Sequence, residues 1–321
     1  MNKVKVSVLT LIIVLMAGLL AACGNEVESA EDFPSQEIEM IIPWSPGGGS
    51  DLEGRFVTEH GSNYIDTDIV PVNVPGVGGT VGMEELAEKD ANGYSIGQIH
   101  EGHLVAHHSG VSDINYDDFK PIAAMTSAYQ FLAVSDDLGV DTLDEFVEYG
   151  QNNTVQFGGT VAGIPRVWVE QIGQVLGIDY NLVGYEGTAE AIQALAGGHI
   201  EASIVDYPSA KSFAEAGDIK FIAVGTDERI DDVSDIPTFK ENGYDLEMAI
   251  NRGYVAPIDT PDEIIEKLEK VLEETSQDEA YIEAVEQTGG IVNFRGSEDY
   301  MEYLEGQDQI ISDIMAEITD E

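Results

Sequence analysis

Pro43-Trp44-Ser45-Pro46-Gly47-Gly48-Gly49-Ser50-Asp51-Leu52-Glu53-Gly54-Arg55 is the stretch whose reading decides the fold. It follows Ile38-Glu39-Met40-Ile41-Ile42, an apolar run closed by a proline, which reads as a buried strand. It precedes a helical pattern in which Ser50 and Glu53 have the spacing of a capping box, placing the helix start at Ser50. The unit is therefore strand, glycine loop, helix N-terminus. Glycines let a ligand approach the backbone, and the free N–H groups of a first helical turn present a positive end to an anion. A purely structural turn would use the same glycines. No Gly-Lys-Ser/Thr follows, so this is not a nucleotide P-loop.

The unit repeats. Ile69 to Val74 alternates like a strand and runs into Pro75-Gly76-Val77-Gly78-Gly79-Thr80, then a helix from Val81 to Lys89. Asn92-Gly93 marks a turn before a third strand over Tyr94 to Ile99. Further on, Phe131 to Val134 reads as a strand, and Thr142 with Glu145 opens a helix. Thr154 to Phe157 leads into a further glycine loop, Gly158-Gly159-Thr160-Val161-Ala162-Gly163, followed by a helix from about Arg166 to Leu176. Tyr180 to Val183, the helix Thr188 to Ala196, and strands at Ala202 to Val205 and Lys220 to Gly225 complete this region. The chain returns through Pro237 and Pro257 to two acidic C-terminal helices, Pro261 to Thr275 and Ser297 to Ile318. Strands alternating with helices predict an α/β fold built on a mainly parallel, doubly wound sheet. Ligands in such sheets sit beyond the carboxyl ends of the strands, where the glycine loops fall.

The chain has 321 residues, enough for two domains. Lys3 and Lys5 precede an apolar run ending in Leu20-Ala21-Ala22-Cys23, which reads as a secretory signal over residues 1–22. Cys23, the sole cysteine, is then the lipidated first residue of the mature protein, with residues 23–35 as a polar tether. The alternative is an uncleaved anchor, at the short limit for spanning a bilayer. Either way the protein works outside the cytoplasmic membrane, on its outer face. Removing the two signal lysines from 14 basic residues leaves 12 against 61 acidic ones, a net charge of −49. Nucleic acid is excluded as a partner, because binding it needs a cationic surface. Hydrophobic content of 43% argues for a folded chain with an acidic skin rather than disorder. Salt near 1 M shortens the screening length to about 3 Å. The acidity therefore suits a high-salt habitat, or is simply an acidic surface in ordinary salt.

Read together, these stretches resemble the periplasmic receptors of tripartite tricarboxylate transporters. The matching residues are Pro46 to Asp51 with Arg55, Pro75-Gly76-Val77-Gly78-Gly79, and Asn92-Gly93-Tyr94. In the second half they are Tyr185-Glu186-Gly187-Thr188-Ala189, Gly197 to Glu201, Ile236-Pro237-Thr238-Phe239 with Glu241-Asn242-Gly243, and Ala256-Pro257. The likeness covers about residues 36 to 318. It implies a two-lobed periplasmic-binding-protein fold of the type II, Venus-flytrap kind. Lobe 1 would be 36–129 with 228–321, and lobe 2 would be 130–227. It implies a small organic acid (a di- or tricarboxylate, an aromatic carboxylate or an amino acid) held by backbone amides and ordered water. Gly47, Gly48, Gly49, Ser50 and Asp51 are the implied positions on one side, with Gly159, Thr160, Ala162 and Asp206 across the cleft. It also implies delivery by a monomeric receptor to a large and a small membrane subunit. Two departures lie near the implied cleft. Ala162-Gly163-Ile164-Pro165-Arg166 replaces the usual glycine–serine/threonine string with its histidine, and Asn251-Arg252-Gly253-Tyr254 replaces a usual aromatic.

With so few cations, each one near the cleft is informative. Arg166 is a candidate carboxylate partner through a bidentate fork, or else neutralises nearby acids. Arg55, one turn into its helix, is expected to pair with an acid. Asp51 either stabilises its helix start or, with Asp206, receives an amino group of the ligand. Trp44 either walls the ligand or seals the domain edge, and Tyr207 poses the same choice. His100, His103, His107 and His108 fall close together, but Gly102 and Gly110 argue against a long helix. They are expected as loop and surface histidines without metal, His103 lining the cleft. No nucleophile motif or cofactor fingerprint occurs, so the chain is expected to need no cofactor. A sensor-kinase receptor, or a secreted metal-dependent or hydrolytic enzyme, is the alternative function.

Overall fold

A computed structural model describes residues 32–159, 163–185, 188–230 and 233–320. The described residues from Pro34 onward form one compact unit. Ten strands make a sheet of order β2-β1-β3-β9-β4-β7-β5-β6, with β8 and β10 also paired to β4. The wings are parallel: β1 (Ile38–Ile42) lies between β2 (Ile69–Asn73) and β3 (Ser95–Ile99), and β5 (Val155–Gly159) between β6 (Tyr180–Gly184) and β7 (Ala202–Asp206). The centre is antiparallel, built on β4 (Phe119–Ser135), β8 (Ile219–Val224), β9 (Ala249–Pro257) and β10 (Ile291–Gly296).

The 17-residue β4 is the spine of the sheet. Helices and neighbouring strands cover it almost throughout, so it reads as a near-continuous apolar run rather than an alternating one. Pro121 is tolerated inside it because the pairing with β9 slips there. Between Tyr129 and Gln130 the strand changes partners, from Ala249 of β9 to Asp206 of β7.

Helices follow the parallel strands: α1 (Gly49–Gly61), α2 (Thr80–Ala87), α3 (Glu101–His108), α5 (Ile164–Leu176), α6 (Thr188–Ala196) and α7 (Tyr207–Ala216). α4 (Leu143–Asn152) connects β4 to β5, and Thr142 caps it by accepting from the Glu145 N–H at 3.2 Å, as its sequence predicts. The C-terminal region holds α8 (Asp262–Ser276), α9 (Glu279–Gln287) and α10 (Ser297–Asp320), three helices where two were expected. α10 packs on both α3 and α5. One core joins Ile41, Met83, Leu86, Phe119 and Tyr300 under the first wing. A larger one joins Phe146, Phe157, Trp168 and Met248 under the second. Burying each such side chain contributes about 1.5–3 kcal/mol.

Candidate ligand-binding site

β1 delivers the chain to the sheet edge at Pro43, and residues 45–49 stand exposed beyond it. Gly47 has φ +86°, a conformation that favours glycine. The helix begins at Gly49 with Gly48 as its N-cap, and no side chain caps it. The expected capping box is therefore not formed. Ser50 lies inside the first turn with its hydroxyl taken by Arg252, and Glu53 points into the protein. Among the described residues the N–H groups of Gly48, Gly49, Ser50 and Asp51 donate to no acceptor. They are the orphan donors of a helix start, left open.

Asp51 is buried and turned inward. Its carboxylate accepts from the Gly47 N–H at 2.8 Å, Asn73 Nδ2 at 2.8 Å and Arg55 Nε at 3.0 Å. Burial alone would raise its pKa. The bonds from Arg55, Gly47 and Asn73 outweigh that and hold it below the ordinary value. Asp51 thus shapes the loop, and Arg55 pairs with an acid as expected.

Arg252, brought by β9, is 9% exposed and donates from Nε to Ser50 Oγ at 3.1 Å. A Cβ on Gly49 would stand 3.0 Å from its Nη2. The polar layer around it is otherwise closed on itself. Glu53 accepts from Gln98 Nε2, Tyr254 OH and Tyr281 OH. Glu101 accepts from the Asn251 side chain and backbone and from Tyr303 OH. Burial raises the pKa of both carboxyls in spite of these donors. Burial also pulls Arg252 down from its ordinary value, opposed by the charges of Glu53 and Glu101. An arginine remains protonated even so.

Trp44 stacks on His100, ring centroids 4.0 Å apart and planes 13° from parallel. His100 Nδ1 accepts from the Gly102 N–H at 2.9 Å. Burial first, then Arg252, lowers its pKa well below the ordinary value and keeps it neutral. His103 departs from expectation. It is fully buried on α3, its ring edge against Phe119, with burial pushing its pKa down to about 4. The glycines argue only against a long helix; a short one of eight residues, α3, forms and carries His103 into the core, and the histidine beside the open loop is His100. The expectation of surface histidines fails with it.

On the second wing Gly159 ends β5, buried, and its carbonyl accepts from the Tyr185 N–H at 2.9 Å. Thr160 and Ala162 lie outside the described residues, as does Cys23. Arg166 stands half-buried in the first turn of α5. Its side chain makes no hydrogen bond or ion pair among the described residues, so it is not neutralising a neighbouring acid there. Asp206 caps α7, accepting from the Ser209 N–H at 3.0 Å. Tyr207 packs its ring against Phe131 and Phe221. A cavity of about 430 Å³ lies behind Glu101 and Asn251, walled by Trp168, Tyr303 and Ile311. Among the described residues no group of three or more His, Cys, Asp or Glu side chains could hold a metal ion. No helix among them is long and apolar enough to cross a membrane.

Arg252 is the residue missed as a site candidate. The signal was present: only 12 lysines and arginines follow residue 22, and one stands at a departure from the resembled pattern. What could not be read was that β9 carries it back to Ser50.

Residues 55–319 match the profile of the family described as "Tripartite tricarboxylate transporter family receptor". A Bordetella pertussis protein of the UPF0065 group is 28% identical over 305 residues, covering 92% of each chain. The crystal structure of a solute-binding protein of this family from Polaromonas superposes with TM-score 0.79 at 23% identity, covering 89% of this chain and 99% of that one. An R. palustris protein solved with adipate superposes with TM-score 0.75 at 22% identity, covering 89% and 99%. The chain belongs to the tripartite tricarboxylate transporter receptors, extracytoplasmic solute-binding proteins rather than enzymes.

Proposed function

We propose that this receptor captures a small organic carboxylate in a cleft between two lobes, residues 36–129 with 228–321 and residues 130–227. The observation that carries the reading is the exposed Gly47–Gly49 turn with its four unclaimed N–H groups at a helix start. An amide hydrogen bond to a charged oxygen contributes about 1.5–3 kcal/mol. Three or four acting together outweigh the field of a net charge of −49, which salt confines to a few ångströms. The adipate-bound relative supports the ligand class. Gly159 and Arg166 stand at the end of β5 and the start of α5, where the second lobe would close on the same anion. The change of partners along β4 at Tyr129 and Gln130 is a natural place for the hinge. Cys23 would carry the lipid that holds the receptor, a monomer, on the outer face of the cytoplasmic membrane. Its partners would then be the large and small membrane subunits of the transporter.

The test is thermal unfolding at molar salt with malate, adipate, citrate, benzoate and glutamate. A ligand at a hundredfold excess over its dissociation constant stabilises the folded state by about 2.7 kcal/mol. A receptor that none of these acids stabilises is not a carboxylate receptor.

A further inference from the structure

We infer that Arg252 is a direct, charged partner of the ligand, its free guanidinium edge and the Gly48–Asp51 amides together forming one carboxylate pocket. The inference rests on the carboxylate reading above and names a side chain that loop motifs do not supply. Nε is committed to Ser50 Oγ, which fixes the plane of the guanidinium. Among the described residues Nη1 and Nη2 make no hydrogen bond and no carboxylate lies within 4 Å of any of the three nitrogens. Seven other cations (Arg55, Lys89, Lys120, Lys211, Lys220, Arg229 and Lys240) do have an acid within that distance. Arg252 is nonetheless nine-tenths buried. Holding a charge that is largely removed from water with no acid in contact is costly, and Nη1 and Nη2 are not sealed from solvent, so a partner can reach them from outside.

The competing role is counter-ion to Glu53 and Glu101, the acids whose charges act on it most strongly, with Asp206 acting more weakly. Each of those carboxylates already accepts at least three hydrogen bonds from other groups, and neither touches the guanidinium. Gly49 fits the same reading. Nη2 stands 3.0 Å from where its Cβ would be, so a side chain would press on the edge left free for the ligand. A planar guanidinium beside helix-start amides matches the two in-plane oxygens of a carboxylate.

The experiment titrates wild type, Arg252→Gln and Arg252→Lys by calorimetry at molar NaCl with malate, adipate, citrate, benzoate and glutamate, and records unfolding without ligand. Glutamine should weaken binding at least about thirtyfold, and lysine by less, because an ammonium keeps the charge and loses the fork. The ligand-free Arg252→Gln protein should unfold at the wild-type temperature or higher, since it sheds an unpartnered buried charge. A counter-ion role gives the reverse, a lowered unfolding temperature with affinity kept. Affinity within about threefold of wild type in Arg252→Gln overturns the inference and leaves the carboxylate receptor standing. Should glutamine prevent folding, an Arg252→Lys protein that binds like wild type overturns it instead. A wild type that binds none of the acids overturns the carboxylate reading itself.

Discussion

The Gly47–Gly49 loop after β1 and the segment after Gly159 of β5 both follow parallel strands, and what the described residues set beside each differs. The first is finished by distant residues. Asp51 holds Gly47 in place, Asn73 of β2 holds Asp51, and Arg252 of β9 reaches Ser50 across 202 positions of sequence. On the second wing residues 160–162 lie outside the described residues, and Pro165 and Arg166 stand in the first turn of the helix that follows. The two strand ends thus have different cations beside them. One has a rigid, buried cation behind its amides, and the other a half-exposed arginine with no partner among the described residues. The anion should therefore be anchored on the first wing and only completed by the second.

The strongest way to break this ranking is Gly48→Val. Gly48 has ordinary extended dihedrals, and the nearest atom to an added Cβ is Ser45 O at 3.7 Å, so the fold accommodates the change. A branched side chain there would cover the amides of the first turn. With charge-assisted bonds of about 1.5–3 kcal/mol each at stake, calorimetry should show a loss of at least about a hundredfold. Retained affinity would transfer the anchor to the other loop.

Acidification reaches a buried histidine of the first wing, which offers a probe of that wing. His103 lies buried there, its pKa lowered to about 4. Between pH 6.5 and 4 the unfolded chain carries a proton on this histidine that the folded chain does not, so its contribution to stability is lost as pH falls through that window. The loss is about 3 kcal/mol. Glu53 and Glu101 work in the opposite sense. Their raised pKa values mean the folded state holds protons the unfolded state has released, so their contribution declines as pH rises. His103→Leu isolates the histidine: its unfolding free energy should fall less steeply than wild type from pH 6.5 to 4. Equal slopes would show that His103 does not titrate as its burial dictates.

The same division into local and distant explains what the sequence disclosed. Parallel strands, glycine loops and the α4 cap are written in adjacent residues, and each was legible. β9 and β10 were not, because Ala249–Pro257 and Ile291–Gly296 carry no clean alternation and pair only with the long antiparallel β4. α7 was hidden by Pro208, which reads as a terminator and in fact occupies its first turn, where a missing N–H costs nothing. Ser50 and Glu53 have the spacing of a local cap, yet both are claimed by tertiary partners, Arg252 on one side and Tyr254 with Tyr281 on the other. Loop positions could be named from sequence. The cation behind the first loop required the sheet order.

The smallest expected effect is on the second wing, and it is the one that tests closure. Arg166 has no acid to pair with among the described residues and stands in the first turn of the helix after the Gly159 strand end. If the second wing only completes a carboxylate already held by the first, Arg166→Ala should weaken binding about tenfold, near 1.4 kcal/mol. The dissociation rate should carry the change, because a group that acts after encounter lengthens residence rather than speeding arrival. The side chain is half-exposed and takes no part in the core, so unfolding without ligand should be unchanged. A loss under about threefold would assign Arg166 to the surface, and one matching Gly48→Val would make the two wings equal partners. The second result would break the asymmetry that Arg252 and Ser50 impose on the first wing, and the first would leave the anion to that wing alone.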